Sequence, residues 1–229
     1  MKYKWLLFDA DSTLFDYDKA EEDALREACN SLNIKYDTGV LEVYRQLNDN
    51  IWSDFEKGLI TPDQIKIMRF PMLFEKLNID SDPEAFNGIY LKKLSEGLHL
   101  IEGAEEVLKA LNEKYKIALI TNGLQDVQRP RISRSAIFKY ISQIIISEEV
   151  GVSKPDKKIF DIAFQRMNYP TRQEVLMIGD NLTSDIKGGN DYGIDTCWFN
   201  PERISCDADM QIKYEIEKLP ELLNILEVE

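Results

Sequence analysis

The sequence has little histidine, little cysteine and no long apolar run. Its single histidine, His99, excludes a metal site built from several histidines. The three cysteines, Cys29, Cys197 and Cys206, are widely spaced and odd in number, which suits a reduced protein better than a disulfide framework. No apolar run approaches the ~20 residues that span a bilayer, and the first residues show no signal-peptide pattern. We therefore expect a cytoplasmic protein without a membrane partner.

Basic residues are also scarce, with 28 Lys and Arg against 41 Asp and Glu and a net charge of −13. This balance argues against a nucleic-acid polymer as partner, because such polymers are bound through basic patches. A small phosphorylated substrate remains compatible, since a cation can screen the charge at its site. The 229 residues and 44% hydrophobic content allow one large domain or a core domain with an insertion.

The first candidate site lies in the stretch LLFDADSTLFD, residues 6 to 16. The apolar run over residues 5–8 is typical of a buried strand, and Asp9 and Asp11 follow it directly. Two carboxylates at a strand end repel each other, and a divalent cation such as Mg²⁺ would offset that repulsion. The alternative is a strand that ends in an ordinary polar turn, where Asp and Ser are common.

Residues 16–97 show helical periodicity only. Apolar residues recur at helical spacing over residues 20–32 and again from residue 40 to residue 55. A fourth helix is expected to begin at the Asp-Pro-Glu of residues 82–84 and to end near Gly97. This block follows the first strand directly, so we predict an inserted all-helical cap over residues 16–97.

The third helix of this block has the clearest start signal. Thr61 is a candidate N-cap, Pro62 suits the first helical position and Gln64 completes a capping box. Pro71 is expected to kink or divide the helix, since proline cannot donate a backbone hydrogen bond.

From residue 101 onwards helical and strand patterns alternate. Continuous apolar strands that alternate with helices indicate a parallel sheet covered on both faces. We therefore predict an α/β fold, a Rossmann-like parallel-sheet core over residues 1–15 and 98–229, with the helical cap inserted. The predicted strands beyond the first cover residues 116–121, 143–147, 175–178 and 196–199.

Three further polar clusters lie at the ends of predicted strands or just before helices. Thr121 and Asn122 offer hydroxyl and N–H groups to a phosphate, although Asn-Gly is also a plain turn signal. Lys154, which precedes a proline, can neutralise a phosphate, although a lysine is usually exposed to solvent. Asp180 and Asp185 bracket a strand end and a helix start, where Asp is also a normal cap.

The carboxyl ends of parallel strands meet at one edge of a sheet, so these clusters are expected to converge. The expected set is Asp9, Asp11, Thr121, Lys154, Asp180 and Asp185. The motifs that carry them, DxDxT, Thr-Asn-Gly, Lys-Pro and GDxxxxD, together resemble the haloacid dehalogenase-like hydrolase superfamily. The helical insertion matches the position and size of that superfamily's helical cap.

Within the superfamily the chain is similar to the noncanonical pyrimidine nucleotidase branch, a group of 5′-nucleotidases. The stretches that carry this resemblance are FDADSTLFDYD, IWSDFEKGLIT, ISEEVGVSKPDKKIFD and residues 175–185. Ser12 departs from the pattern, because the branch more often has an acidic residue there and the superfamily often has glycine. We expect this departure to adjust the loop only.

The resemblance implies a Mg²⁺-dependent phosphatase that acts on a small phosphorylated metabolite, such as a pyrimidine nucleoside 5′-monophosphate. We expect a monomer or homodimer. Asp9 is implied as the nucleophile that forms an aspartyl-phosphate, and Asp11 as the general acid and base. The other implied roles are Mg²⁺ binding by Asp9, the Asp11 carbonyl and Asp180, support by Asp185, and phosphate binding by Thr121, Asn122 and Lys154.

Three alternatives remain open. A sugar-phosphate phosphatase or phosphomutase of the same superfamily would carry the same motifs. A phospho-accepting receiver domain also uses a Mg²⁺-bound aspartate with a threonine and a lysine, but it has no use for a cap of about eighty residues. An inactive binding protein on the same fold is the third. A dehalogenase is disfavoured, because a halide leaving group needs no acid such as Asp11.

Substrate choice is expected to depend on the cap. Tyr17, Trp52 and Phe55 are candidates for stacking on a base, against the alternative that they pack the core of the cap. Arg129, Arg131 and Arg134 are further candidates to reach a substrate, against the default that they lie on a solvated helix face.

Overall fold

The computed structural model describes residues 2–206 and 210–228, and within them six strands form one parallel sheet. In chain order they are β1 (Trp5–Phe8), β2 (Lys116–Thr121), β3 (Ile141–Ile146), β4 (Val175–Gly179), β5 (Asp195–Phe199) and β6 (Tyr214–Ile216). Across the sheet the order is β3-β2-β1-β4-β5-β6, and every pair is parallel. The predicted α/β class is confirmed. The short edge strand β6 was not predicted.

Helices flank these strands in the sequence. They are α1 (Tyr17–Ser31), α2 (Thr38–Glu56), α3 (Pro62–Leu77), α4 (Pro83–Glu96), α5 (Ala104–Leu111), α6 (Gln125–Arg134), α7 (Ser147–Val150), α8 (Lys157–Arg166), α9 (Gly188–Tyr192) and α10 (Glu221–Ile225). Short 3₁₀ turns span Phe138–Tyr140 and Arg172–Glu174, and a π-helical turn spans Leu182–Lys187. Over residues 2–206 and 210–228, no helix is long and apolar enough to cross a membrane.

The central strand β1 places the first candidate site. Phe8 pairs with Leu119 of β2 on one side and with Ile178 of β4 on the other. The chain order reverses between these neighbours, since β2 and β3 lie to one side and β4 and β5 to the other. In open α/β sheets ligands bind at such a switch point, beyond the carboxyl ends of the strands. Asp9 is the first residue beyond β1.

The core lies on both faces of the sheet because successive strand residues point to opposite sides. Leu6 and Phe8 pack on one face with residues of α5 and α10, and Trp5 and Leu7 pack on the other with residues of α8. Leu6, Leu7 and Phe8 are fully buried. Each such side chain contributes about 1.5–3 kcal/mol through burial, so β1 is a rigid base for the residues that follow it.

By its internal contacts the chain divides into two compact units. One comprises Met1–Tyr17, His99–Gln125 and Ile132–Glu229, and contains the sheet. The other comprises Asp18–Leu98 and Asp126–Arg131. The sequence-based cap, residues 16–97, did not include the short second segment. That segment joins the helical unit through Arg131, whose Nε donates to the Gly97 carbonyl at 2.9 Å.

The helical unit has an aromatic core. Its central rings pack with centroids 4.7 to 5.6 Å apart: Tyr44 stacks on Phe70, and the other contacts, made by Phe86 and Tyr90, are tilted or edge to face. Of the two outcomes expected for Pro71, division of α3 is ruled out, because the helix continues to Leu77; the carbonyl four residues earlier belongs to the exposed residue Ile67. The default expectation for Arg131 was wrong: the side chain is fully buried rather than solvated, and its Nε donates to the Gly97 carbonyl.

Other local predictions in this unit agree with the structure. The capping box of α3 is present, with Gln64 N donating to Thr61 Oγ1 at 3.3 Å and Thr61 N to Gln64 Oε1 at 2.8 Å. Trp52 and Phe55 pack edge to face at 5.6 Å, and Phe55 lies in a buried cluster with Ile65. The packing alternative to base stacking therefore describes Phe55.

Candidate active site

Asp9 continues the ladder of β1 by one residue, since its N–H donates to the Ile178 carbonyl at 2.9 Å. The side chain is 8% exposed and accepts a hydrogen bond from Lys154 Nζ at 2.7 Å. Burial and the charge of Asp185 raise the pKa of Asp9 well above its ordinary value, although Lys154 opposes that rise. The carboxylate is thus held in place by one lysine at the end of the central strand.

Lys154 is 1% exposed, in contrast to the solvated lysine that is usual before a helix. Its Nζ also donates to Asp185 Oδ1 at 2.6 Å, so one ammonium group joins two carboxylates. Burial disfavours the charge of Lys154, but Asp185 and Asp9 outweigh burial and hold its pKa above the ordinary value. Lys154 is therefore a fixed cation at this edge of the sheet.

Asn122 holds the backbone of Lys154. Its side-chain Nδ2 donates to the Lys154 carbonyl at 2.9 Å, and the Lys154 N–H donates to Asn122 Oδ1 at 2.8 Å. The preceding residue, Thr121, is 2% exposed, and its Oγ1 accepts from Gly123 N at 3.2 Å. The side-chain amide of Asn122 thus supports Lys154, and the predicted binding of phosphate at Asn122 is left to its backbone N–H. Lys154–Pro155 is a cis peptide.

Asp180 follows β4 directly and accepts a hydrogen bond from Thr13 Oγ1 at 2.7 Å. Burial and the charge of Asp185 raise the pKa of Asp180 to about 7. One carboxylate oxygen from each of Asp9, Asp180 and Asp185 lies within 4.8 Å of the others. Three carboxylates against one lysine leave excess negative charge in a buried place, and all the donors are oxygens, so the residues fit Mg²⁺.

Asp185 is fully buried on the π-helical turn and accepts from Asn181 N through Oδ2 at 3.1 Å. Gly179 makes room for it, because a Cβ at that position would lie 2.3 Å from Asp185 Oδ2. Asn181 caps the turn by accepting from Thr183 N and Ser184 N at 2.8 and 2.9 Å. The glycine of the GDxxxxD motif is therefore required by close approach.

Asp11 lies in a tight turn two residues beyond Asp9 and is half-buried. Leu14 N donates to the Ala10 carbonyl at 2.9 Å, and Ser12 N to the Phe15 carbonyl at 2.8 Å. Ser12 has a φ of +56°, in the left-handed region that glycine adopts without strain. This explains why glycine would suit the position and why Ser12 contributes backbone geometry.

Two residues that support the site were not predicted. Thr13, though part of the DxDxT motif, received no role; it is fully buried and binds the Asp180 side chain. Trp198 Nε1 donates to the Asp180 backbone carbonyl at 2.8 Å. The motif itself could have identified Thr13. Trp198 lies in an apolar strand, where only the three-dimensional structure shows its hydrogen bond.

A family model of the haloacid dehalogenase-like hydrolases matches residues 3–193, the range that contains all four motifs of this site. The chain belongs to this family, so it is a hydrolase by descent.

Particular relatives cover nearly the whole chain. It is 36% identical over 225 residues to the pyrimidine 5′-nucleotidase YjjG of Escherichia coli, covering 96% of this chain and 98% of that protein. It is 33% identical over 228 residues to the pyrimidine 5′-nucleotidase PynA of Streptococcus pneumoniae, covering 99% and 96%. The magnesium-bound crystal structure of Bacillus subtilis YfnB superposes with a TM-score of 0.93 at 35% identity, covering both chains completely.

Proposed function

We propose that this protein is a Mg²⁺-dependent phosphatase that hydrolyses pyrimidine nucleoside 5′-monophosphates through an aspartyl-phosphate. The observation that carries the proposal is the buried Lys154, which binds Asp9 at 2.7 Å and Asp185 at 2.6 Å beside the carboxylate of Asp180. Negative side chains gathered around one cation suit phosphoryl transfer, where positioning and charge stabilisation dominate.

In the first step an Asp9 carboxylate oxygen attacks phosphorus. The P–O bond to the alcohol breaks, and Asp11 donates its proton to the departing alkoxide. In the second step Asp11 accepts a proton from water while that water attacks phosphorus. The bond from phosphorus to Asp9 breaks, and inorganic phosphate and the free carboxylate are released.

The remaining groups bind the phosphoryl oxygens. Lys154 Nζ supplies a buried positive charge, and the Thr121 hydroxyl and the Asn122 backbone N–H supply donors at the end of β2. Mg²⁺ would be held by Asp9, Asp180 and the Asp11 carbonyl, and when bound it neutralises charge between the nucleophile and the phosphate. Asp185 keeps Lys154 in place.

The relatives support the substrate class, because two of them are named pyrimidine 5′-nucleotidases and match over nearly their full length. A wider range of small phosphate esters is the second candidate. It is favoured by a glyceraldehyde 3-phosphate phosphatase of Pyrococcus abyssi, which is 32% identical over 238 residues. The receiver-domain alternative is set aside by the hydrolase family match over residues 3–193.

The experiment is release of inorganic phosphate from UMP, dUMP, TMP, CMP, AMP and a set of sugar phosphates, with Mg²⁺ and with chelator. We expect pyrimidine monophosphates to be turned over fastest and chelator to stop the reaction. Turnover confined to sugar phosphates would support the phosphatase mechanism but contradict the assignment of pyrimidine monophosphates as substrates. Interconversion of a sugar phosphate without phosphate release would indicate a mutase.

The nucleophile is tested by Asp9→Asn, with Asp195→Asn as the matched control. Asp195 begins β5 at the opposite end of the sheet strands and binds Tyr3 Oη at 2.6 Å. We expect Asp9→Asn to abolish release of phosphate from an aryl phosphate and Asp195→Asn to retain it. Turnover by Asp9→Asn near that of the unmodified enzyme would overturn the assignment.

A further inference from the structure

The peptide group that links Asp180 to Asn181 is hydrogen-bonded at both of its polar atoms. Its carbonyl oxygen accepts from Trp198 Nε1 at 2.8 Å, and its N–H donates to Asp185 Oδ2 at 3.1 Å. The rotation of this peptide plane is therefore fixed between an indole and a carboxylate. Asp180 supplies the carbonyl of this peptide plane, and Asp185 accepts from its N–H. The orientation of the plane therefore helps to set the distance between the two carboxylates.

Trp198 reaches this carbonyl because of the strand register. In the parallel pairing of β4 with β5, Trp198 lies opposite Gly179, the residue before Asp180. Its side chain is 1% exposed, so the indole N–H has no access to bulk water. A buried indole donates one hydrogen bond, and a partner is normally found for it. Here the partner belongs to a residue of the site.

The side chain of Asp180 is held independently by Thr13 Oγ1 at 2.7 Å. Two contacts from different elements thus fix Asp180. Thr13, in the turn after β1, orients the carboxylate, and Trp198 of β5 orients the main chain. Without the indole, only the bond from Asn181 N to Asp185 Oδ2 would hold this peptide plane, and the separation of the Asp180 and Asp185 carboxylates would be less tightly fixed.

We propose that Trp198 is a positioning residue that fixes Asp180 for divalent-cation binding. The inference rests on the proposed function in that it takes Asp180 as a ligand of Mg²⁺. Groups that orient metal ligands typically change metal affinity by about 10- to 100-fold when they are removed. Trp198→Phe removes the donor and keeps a buried aromatic ring, so it should raise the Kd for Mg²⁺ by at least about tenfold.

The matched control is Trp5→Phe. Trp5 is also a buried tryptophan of the sheet, 7% exposed. It begins β1, at the opposite end of that strand from Asp9, and packs with Leu7 and Ala118. Mg²⁺ alone is titrated into each full-length protein by calorimetry, and urea unfolding is measured in parallel. We expect both variants to lose stability through ring contraction, and only Trp198→Phe to lose Mg²⁺ affinity. A Kd for Trp198→Phe within twofold of that of Trp5→Phe would overturn the proposal.

A second measurement requires no substitution of Trp198, so it does not depend on whether such a variant folds. In ¹⁵N-labelled unmodified protein, the three indole N–H signals of Trp5, Trp52 and Trp198 are followed during Mg²⁺ titration. Trp5→Phe and Trp52→Phe assign the signals by elimination. We expect the Trp198 signal to shift with Mg²⁺ and the Trp52 signal to stay in place.

A Trp198 signal that does not move at saturating Mg²⁺, or the absence of Mg²⁺ binding by the unmodified protein, would overturn the inference. Failure of the proposed function alone is recognised separately, as Mg²⁺ binding by the unmodified protein without release of phosphate. In that case the Kd comparison still decides the role of Trp198.

Discussion

Lys154 shows how a single residue acquires its role from its surroundings. In the sequence a lysine before a proline is most simply a solvated side chain. In the structure it is buried, with Asp9 and Asp185 as partners. A buried charge is tolerated when it is paired, and the removal of one partner leaves the others uncompensated.

We therefore predict that Lys154→Met lowers the free energy of unfolding by about 3 kcal/mol, because two buried carboxylates lose their cation. Phosphate release should fall by about 10²-fold or more, as for the loss of one donor to a developing negative charge. Urea unfolding and steady-state turnover measure the two effects. Lys187→Met is the control: its ion pair with Asp191 lies on the surface, and its removal should change stability by less than about 1 kcal/mol. Equal effects of the two substitutions would contradict this role of Lys154.

Glu21 is a second buried charge, in the helical unit. It is 2% exposed and accepts from Arg45 Nε and Asn48 Nδ2, each at 3.1 Å. Burial raises the pKa of Glu21 to about 7, although Arg45 opposes the rise. The folded state therefore binds a proton that the unfolded state releases above its own lower pKa. The stability from this group is complete below about pH 4 and is lost as the pH rises through 7.

Glu21→Gln removes this titration and keeps an acceptor for its neighbours. We predict that the unmodified protein loses stability relative to Glu21→Gln between pH 5 and pH 8, by about 3 kcal/mol at most. Urea unfolding of both proteins at several pH values measures the difference, and other titrating groups cancel in the comparison. A difference that is independent of pH over this range would show that Glu21 titrates normally.

At the scale of elements, the junction of β4 with the π-helical turn depends on Gly179. A Cβ there would lie 2.3 Å from Oδ2 and 2.4 Å from Cγ of Asp185. Because Asp185 is fully buried and bound to Lys154, it cannot move aside without breaking that bond. The glycine thus allows the strand and the turn to place two carboxylates side by side.

We predict that Gly179→Ala lowers the free energy of unfolding by about 1–3 kcal/mol, as overpacking does. The rate of phosphate release should also fall. Gly88→Ala, in the interior of α4 with nothing within 4 Å of its added Cβ, should instead stabilise the protein by about 0.5–1 kcal/mol. Thermal unfolding and turnover of the two variants provide the test. Tolerance of Gly179→Ala equal to that of Gly88→Ala would show that the junction is not tightly packed.

Most elements could be predicted from the sequence because their signals are local. The apolar run of β1 and the capping box of α3 each lie within a few residues. The short strand β6, the burial of Arg131 and the hydrogen bond of Trp198 depend on partners distant in sequence. Thr121 and Asn122 show where prediction from local sequence ends. Their position at the end of β2 could be predicted, but the two hydrogen bonds between the Asn122 side chain and the Lys154 backbone could not.

At the scale of the whole molecule, the strand order brings residues from distant parts of the sequence to one edge. Asp9 and Lys154 are 145 residues apart in the chain, and Lys154 and Asp185 are 31 apart, yet Lys154 donates to both carboxylates. The helical unit is interposed after β1 without interrupting the sheet, since β1 pairs with β2 and β4 in register. The motifs were sufficient to predict this convergence because parallel strands share one carboxyl edge.

The central claim is that Asp9 carries the phosphoryl group during turnover. The direct measurement is a rapid quench of Asp11→Asn with an aryl phosphate, whose leaving group needs no acid, followed by mass spectrometry of the peptides. The account predicts one phosphoryl group on Asp9, formed with a burst of aryl alcohol and absent from Asp9→Asn. A phosphoryl group on another residue, or a burst of aryl alcohol with none on the protein, would contradict it.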